Sequence, residues 1–191
     1  ARPVILARPH PAAHAIPALA PVREAVKYAS SQGFLTTVPK RGLQVMEASP
    51  DNIRECLDVR LVLDQEGARR RISQGNLEGL DALRRRHEIM RDEVRTGPAA
   101  SLPPKAIEVD LSLHTYLGEG LGNSLLSAAY AANRIRIAVI QHARPFLADR
   151  IASAMDEHLA VIEALETRNE AAAVQALKYH CEQTLRWWGV P

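Results

Sequence analysis

The chain has 191 residues, of which 47% are hydrophobic, 24% charged and 4% aromatic, with a formal net charge of +2. These values are typical of globular proteins and exclude a disordered or fibrous chain. Abundant Ala, Leu, Arg and Glu with few aromatic residues favour helices over strands. No uncharged apolar run reaches the roughly 20 residues that span a bilayer, so we expect no membrane partner. Two distant cysteines, Cys56 and Cys181, form no disulfide framework, which favours a cytoplasmic protein.

The charge is distributed unevenly along the chain. Residues 1–50 carry six Lys/Arg against two Glu, whereas residues 51–191 carry eighteen Lys/Arg against twenty Asp/Glu. A basic start on a slightly acidic body suggests an anionic partner for the first part, and nucleic acid is the obvious candidate.

The first predicted elements are a short helix and a hairpin. Five prolines fall within the first 21 residues and prevent a continuous helix there. Pro21 suits the first turn of a helix that ends at Gly33. Two short apolar runs, FLTTV and LQVM, flank the turn PKRG and predict a β-hairpin. A helix followed by a basic-tipped hairpin is the second half of a winged helix, although an ordinary connector without a ligand fits the spacing equally well.

From Ser49 onward the pattern predicts only helices. The expected ranges are 49–74, 76–96, 105–116, 123–142, 147–167 and 169–188, with GPAASLPP as a linker before the third. Short connections predict that the six helices pack antiparallel in one bundle. We therefore expect a mainly all-α chain, with an atypical winged-helix region at 1–48 and a helical domain at 49–191.

Four side chains on predicted apolar stripes are candidate metal ligands. Asp110 and His114 lie four residues apart and project from one helix face. His158 and His180 lie on the apolar stripes of the fifth and sixth bundle helices. Because imidazole and carboxylate ligands together suit a divalent transition metal, the four residues could converge on one ion. Alternatively, each histidine is an ordinary core residue with a hydrogen-bond partner.

Two further titratable residues are predicted to lie away from this site. His87 follows an arginine run and is assigned to the polar face of the second bundle helix. Glu157 adjoins His158 in sequence and is expected to point to another face.

Several stretches in order resemble the FadR-type effector (FCD) domain of the GntR family of transcription regulators. They are LDVRLVLD, VDLSLH, the Gly122–Asn123 pair and DEHLAVIEALETRNEAAAVQALKYHCE, in which His158 and His180 are 22 residues apart. PVREAV and QGFLTTVPKRGLQV are similar to the recognition helix and wing of that family. The resemblance covers about residues 21–188 and is closest to the six-helix VanR-like subgroup.

The resemblance implies a role for each matched residue. Asp110, His114, His158 and His180 would hold a divalent ion such as Zn, Ni or Mn. Arg60 would pair with the carboxylate of an effector, and its alternative role is an i,i+4 salt bridge with Asp64. Asn123 and Arg136 are further effector-site candidates, with Arg134 as a second possible pocket or surface charge. Asn123 could instead be only a helix N-cap.

The resemblance also implies DNA contacts in the first part of the chain. These are Arg23 at the start of the recognition helix and Lys40, Arg41 and Gly42 at the wing tip. The chain departs from the family before this point, because residues 1–17 cannot form the two preceding helices. Ala18 and Leu19 stand where the family has Ser-Arg, so full operator binding is not predicted.

The sequence thus predicts a homodimeric, non-enzymatic transcription regulator with operator DNA and a small organic acid as its partners. A metal-dependent hydrolase in a helical bundle and a structural metal site in an interaction domain are the alternatives.

Overall fold

The computed structural model describes residues 5–6, 19–96, 102–144 and 148–190. It divides into two compact units, the first ending at Ser49 and the second starting at Pro50. The prediction that residues 1–17 form no helices concerns residues outside the described ranges, apart from Ile5–Leu6.

The described residues of the first unit form one helix and a small sheet. Its elements are β1 (Ile5–Leu6), α1 (Leu19–Ser31), β2 (Leu35–Val38) and β3 (Gly42–Val45). The sheet is antiparallel with the order β1-β3-β2. The predicted hairpin is confirmed, whereas β1 was not predicted because two residues among prolines carry no strand pattern.

The hairpin turn places its basic tip on the surface. The Arg41 backbone N–H donates to the carbonyl of Val38 at 3.0 Å, and Lys40 adopts a φ of 61°. Proline at the second turn position and a positive φ at the third define a type II turn. Lys40 and Arg41 are exposed, as a wing tip requires.

The second unit contains the six helices that the sequence predicts. They are α2 (Pro50–Gln74), α3 (Leu80–Thr96), α4 (Leu102–Glu119), α5 (Ser124–Ala143), α6 (Ala148–Glu166) and α7 (Glu170–Trp187). The start of α4 differs from the prediction, because Leu102, Pro103 and Pro104 belong to the helix rather than to a linker. Proline is tolerated in a first helical turn, where its missing N–H has no intrahelical partner.

The core of this unit lies where α2, α4, α6 and α7 meet. α2 packs against α4, α5 and α7, while α6 packs against α3, α4 and α7. The largest buried cluster draws on α2, α3, α4, α6 and α7 and includes Leu113, Leu117, Ile162, Leu165 and Leu177. The inner faces of α4, α6 and α7 therefore meet inside the unit, which is where the candidate ligands lie.

A glycine allows α2 and α4 to approach closely. A Cβ on Gly67 would collide with the backbone carbonyl of Leu117. Gly67 lies about one turn after Asp64, and Leu117 lies about one turn after His114. The close approach thus brings the side chains of Asp64 and His114 within reach of each other.

Gly67→Ala is expected to destabilise the helical unit by about 1–3 kcal/mol, because the added methyl meets backbone that cannot move aside. Gly118→Ala is the matched control, since the three atoms nearest to its Cβ belong to the Tyr130 side chain and not to backbone. Both variants gain the same helix propensity. Urea unfolding followed by circular dichroism measures the difference, and equal stabilities would contradict the close approach.

Within the part of the chain that the structure describes, no helix combines the length and the apolar character needed to cross a bilayer.

Candidate metal centre

The four candidate ligands meet in one buried cluster. α4 supplies Asp110 and His114, α6 supplies His158 and α7 supplies His180. One ligand atom from each lies within 4.8 Å of every other, and all four side chains are buried. Each helix directs its ligand inward because that residue lies on the apolar stripe that packs into the core.

The distances suit a shared ion. His158 Nε2 lies 3.2 Å from His180 Nε2 and 3.6 Å from Asp110 Oδ1. Ligands about 2.1 Å from one ion are separated by roughly 3 Å or slightly more. His114 Nε2 is buried, and the described residues offer it no hydrogen-bond partner. A buried ring nitrogen without a partner is costly unless an ion binds it. The residues therefore fit a divalent metal.

Each histidine of the cluster has a partner at its other ring nitrogen. His114 Nδ1 lies 2.7 Å from Asp64 Oδ2, and His180 Nδ1 lies 2.7 Å from Glu157 Oε2. His158 Nδ1 lies 3.1 Å from His87 Nε2. Metal-binding histidines usually have such an outer partner, which fixes the ring and its tautomer.

These outer contacts correct two predictions. His87 is fully buried and not part of a polar face. It lies on an apolar stripe with Leu80, Leu83 and Met90 at helical spacing. The run of arginines that precedes it in sequence led to its assignment to the polar face. Glu157 is also buried, and it reaches across to His180 on α7 instead of pointing away from the site.

The outer contacts determine where the ring protons lie. Burial raises the pKa of Glu157, but hydrogen bonds from His180 and Arg150 outweigh it and leave the pKa below its usual value. The ionised carboxylate only accepts, so His180 Nδ1 donates and its Nε2 carries a lone pair. His87 Nδ1 lies 2.8 Å from the carbonyl of Leu83 and must donate to it. His87 Nε2 is then an acceptor, so His158 Nδ1 donates and its Nε2 also carries a lone pair.

Burial keeps the cluster histidines neutral. It lowers the pKa of His114 and of His180 to about 3, and it lowers the pKa of His158 well below the usual value. Burial also raises the pKa of Asp64 to about 7, against the opposing effect of the nearby Arg60 charge. A metal ligand must present an unprotonated nitrogen, so the lowered pKa values of the three histidines favour metal binding.

Arg60 lies beside the cluster on α2. Its Nη2 is 3.4 Å from His180 Nε2, and its side chain is buried. The alternative salt bridge with Asp64 is not formed among the described contacts, and Asp64 Oδ2 instead contacts His114. Arg60 therefore places a positive charge next to the candidate metal centre and is not paired with Asp64.

Two small crevices reach the cluster, and Arg60 lines both of them. One contains Asp110, and its lining also includes Gln141, Arg144 and Arg150. The other contains His114 and is lined further by Tyr130, Asn133 and Arg134. Gln141 Nε2 donates to Asp110 Oδ2 at 3.2 Å. The first crevice brings a candidate ligand together with Arg60, Arg144 and Arg150, of which Arg150 is paired with Glu157. The positive charge of Arg60 in this crevice favours an anion.

The other predicted effector residues lie farther out. Asn123 is exposed and caps α5 by accepting from the N–H groups of Leu125 and Leu126, each at 3.0 Å. This geometry supports its N-cap role. Arg136 is half-buried on α5 near the thiol of Cys56, and neither crevice described above includes it.

The predicted DNA contacts all lie in the first unit. Arg23 is exposed on α1, while Lys40, Arg41 and Gly42 form the hairpin tip. Gly42 has a φ of 107°, a conformation that favours glycine.

Comparison with known proteins identifies the class of this protein. The FCD domain family matches residues 55–183, which is more than half of the chain. The chain therefore belongs to the FCD domain family, the family that the sequence resemblance predicted. A comparison with curated proteins finds no match.

Solved structures share the fold. McbR/YncC of E. coli has a TM-score of 0.71 at 14% identity, with 90% of this chain and 80% of that chain covered. GntR of Streptococcus agalactiae has a TM-score of 0.56 at 18% identity, with coverages of 86% and 80%. A GntR family member from Pseudomonas syringae pv. tomato has a TM-score of 0.52 at 18% identity, with coverages of 88% and 68%.

Proposed function

We propose that this chain is a transcription regulator whose helical unit holds one divalent metal ion and binds a small carboxylate effector. Asp110, His114, His158 and His180 are the proposed ligands. The fold and the family support a regulator. The cluster geometry supports the metal, and the charges around the crevice support the effector.

One observation carries the metal proposal. The Nε2 atoms of His158 and His180 lie 3.2 Å apart, and the outer hydrogen bonds leave a lone pair on each. Two lone pairs cannot hydrogen-bond to each other, and Arg60 Nη2 contacts only the His180 nitrogen, at 3.4 Å. A metal ion between the two nitrogens would stabilise both lone pairs. His114 Nε2, which is also buried without a partner among the described residues, completes the donor set.

The donor set indicates the kind of metal. Three imidazole nitrogens and one carboxylate oxygen suit Zn, Ni or Mn, and four protein ligands leave open positions on a metal that prefers six. When bound, the metal supplies a Lewis-acid anchor for a carboxylate oxygen. Arg60 would neutralise the second oxygen, because its guanidinium already lies beside His180.

The first unit is the proposed DNA-binding part. α1 and the hairpin present Arg23, Lys40 and Arg41 on the surface, where they can contact phosphates. A homodimer would pair two such units on operator DNA, and effector binding would favour one arrangement of the pair. A cytoplasmic location belongs to the same proposal.

Arg60→Met is expected to separate effector binding from metal binding. Thermal unfolding of the Zn-loaded chain is measured with acetate, glycolate or succinate. Stabilisation of the wild type should depend on the metal and rise with carboxylate concentration. The variant should retain its Zn but bind carboxylate at least about 10-fold more weakly, because it lacks a charged hydrogen bond.

Arg85→Met is the matched control, since Arg85 is an exposed arginine on α3. It should behave as the wild type. If the Zn-loaded wild type shows no carboxylate-dependent stabilisation with any probe, the effector proposal is contradicted and a structural metal site is favoured.

A further inference from the structure

We propose that His87 is a positioning residue for the metal site: it holds the ring of His158 in the tautomer and orientation that present Nε2 to the ion. This role rests on the metal site proposed above. His87 lies on α3, outside the four candidate ligands, and none of its side chain is exposed.

A chain of two hydrogen bonds carries the inference. The carbonyl of Leu83 accepts from His87 Nδ1 at 2.8 Å, and a carbonyl oxygen can only accept. In a neutral imidazole the proton on Nδ1 makes Nε2 an acceptor. The His87 ring is fully buried and its described hydrogen-bond contacts are a carbonyl and a second imidazole, with no carboxylate to balance a charge on the ring. His87 Nε2 therefore accepts from His158 Nδ1 at 3.1 Å, and the backbone of α3 thereby determines which nitrogen of His158 faces the cluster.

His87 is not one of the four residues whose ligand atoms converge. It contacts Nδ1 of His158, whereas the cluster contacts Nε2 of that ring. The two rings are tilted by 58° with their centroids 5.2 Å apart, an arrangement that suits an edge-to-edge N–H···N contact rather than stacking.

The outer partner of His158 differs chemically from the other two. Asp64 and Glu157 are carboxylates, and Glu157 is balanced by a buried ion pair with Arg150. A neutral imidazole orients His158 without adding another buried negative charge, which would require its own partner. His87 thus supplies orientation alone.

The first test reads the tautomer directly in the metal-free full-length chain. Two-bond ¹H–¹⁵N NMR distinguishes a ring protonated at Nδ1 from one protonated at Nε2, and His158 is assigned from the signal lost in His158→Asn. The wild-type ring should be protonated at Nδ1. His87→Leu, which removes the acceptor, should shift His158 toward the Nε2-protonated form. His87→Gln should retain the wild-type tautomer, because its side-chain oxygen can take the place of Nε2.

The second test measures Co²⁺ binding to the same variants by visible absorption. Loss of an outer partner typically weakens metal binding about 10–100-fold, so His87→Leu should lose affinity within this range and show an altered Co²⁺ spectrum. His87→Gln should stay within a few-fold of the wild type. His142→Leu is the matched control, because His142 is exposed on α5.

Three results would overturn the role of His87. The first is a wild-type His158 protonated at Nε2, a result that does not depend on any His87 variant. The second is His87→Leu with the wild-type tautomer and an unchanged Co²⁺ affinity. The third is equal weakening in the Leu and Gln variants without a tautomer change, which would show a packing role only. A wild type that binds no Co²⁺ would instead contradict the metal site itself.

Discussion

Arg150→Leu is expected to lower the free energy of unfolding of the helical unit by about 3–5 kcal/mol, because it leaves a buried carboxylate without its cation. Arg150 and Glu157 are 6% and 7% exposed at their side chains. Arg150 Nη2 donates to Glu157 Oε2 at 2.9 Å and to Thr184 Oγ1 at 3.0 Å, while Nη1 donates to Glu157 Oε1. The pair therefore joins α6 to α7 next to His180.

Two comparisons isolate this effect in urea unfolding experiments. Lys105→Ala breaks the exposed ion pair with Glu93 and should cost no more than about 1 kcal/mol. The double variant Arg150→Leu/Glu157→Leu should recover part of the loss, since it leaves no buried charge without a counter-ion. If Arg150→Leu were no more destabilising than Lys105→Ala, the buried pair would have no structural importance.

His180→Ala is expected to weaken metal binding by more than the roughly 10–100-fold that loss of an outer partner produces. The substitution removes one ligand nitrogen, and it also removes the ring that Glu157 and Arg60 contact. Competition of the purified chain against a Zn²⁺ indicator dye measures the affinity.

His142→Ala is the control, because it removes an exposed histidine from α5 and should bind Zn²⁺ as the wild type does. A His180→Ala chain with wild-type affinity would remove His180 from the ligand set. The other three residues would then have to account for any metal that binds.

The helices could be predicted from the sequence because their signals are local. Apolar spacing, prolines and capping residues indicated all six helices of the second unit. Asn123 and Asn169, predicted at the starts of α5 and α7, are their N-caps. The start of α4 was placed too late, since two adjacent prolines are typical both of a linker and of a first helical turn. β1 could not be predicted, because its pairing with β3 depends on a distant partner.

The candidate ligands could be proposed from the sequence, but their outer partners could not. Each candidate ligand histidine lies on an apolar stripe, where a buried polar side chain needs a partner and therefore indicates a possible site. The partners are defined by contacts between helices. Asp64 contacts His114 across 50 residues of sequence, and His87 contacts His158 across 71 residues. His87 nevertheless shares a helical stripe with Leu83 and Met90, and that spacing was the available signal.

The arrangement links the metal site to the bundle as a whole. α4, α6 and α7 supply the proposed ligands, while α2, α3 and α6 supply the outer partners Asp64, His87 and Glu157. Occupation of the centre would therefore fix five helices relative to one another, so binding there can favour one packing of the unit.

Metal content per chain is the most direct test of the central claim. The wild-type chain, purified without chelator or nickel affinity, is analysed by elemental mass spectrometry beside Asp110→Ala. About one equivalent of a divalent transition metal in the wild type, lost in the variant, is the predicted result. A wild type that holds no metal, even after incubation with zinc, nickel or manganese, would contradict the metal site and leave these histidines as core residues.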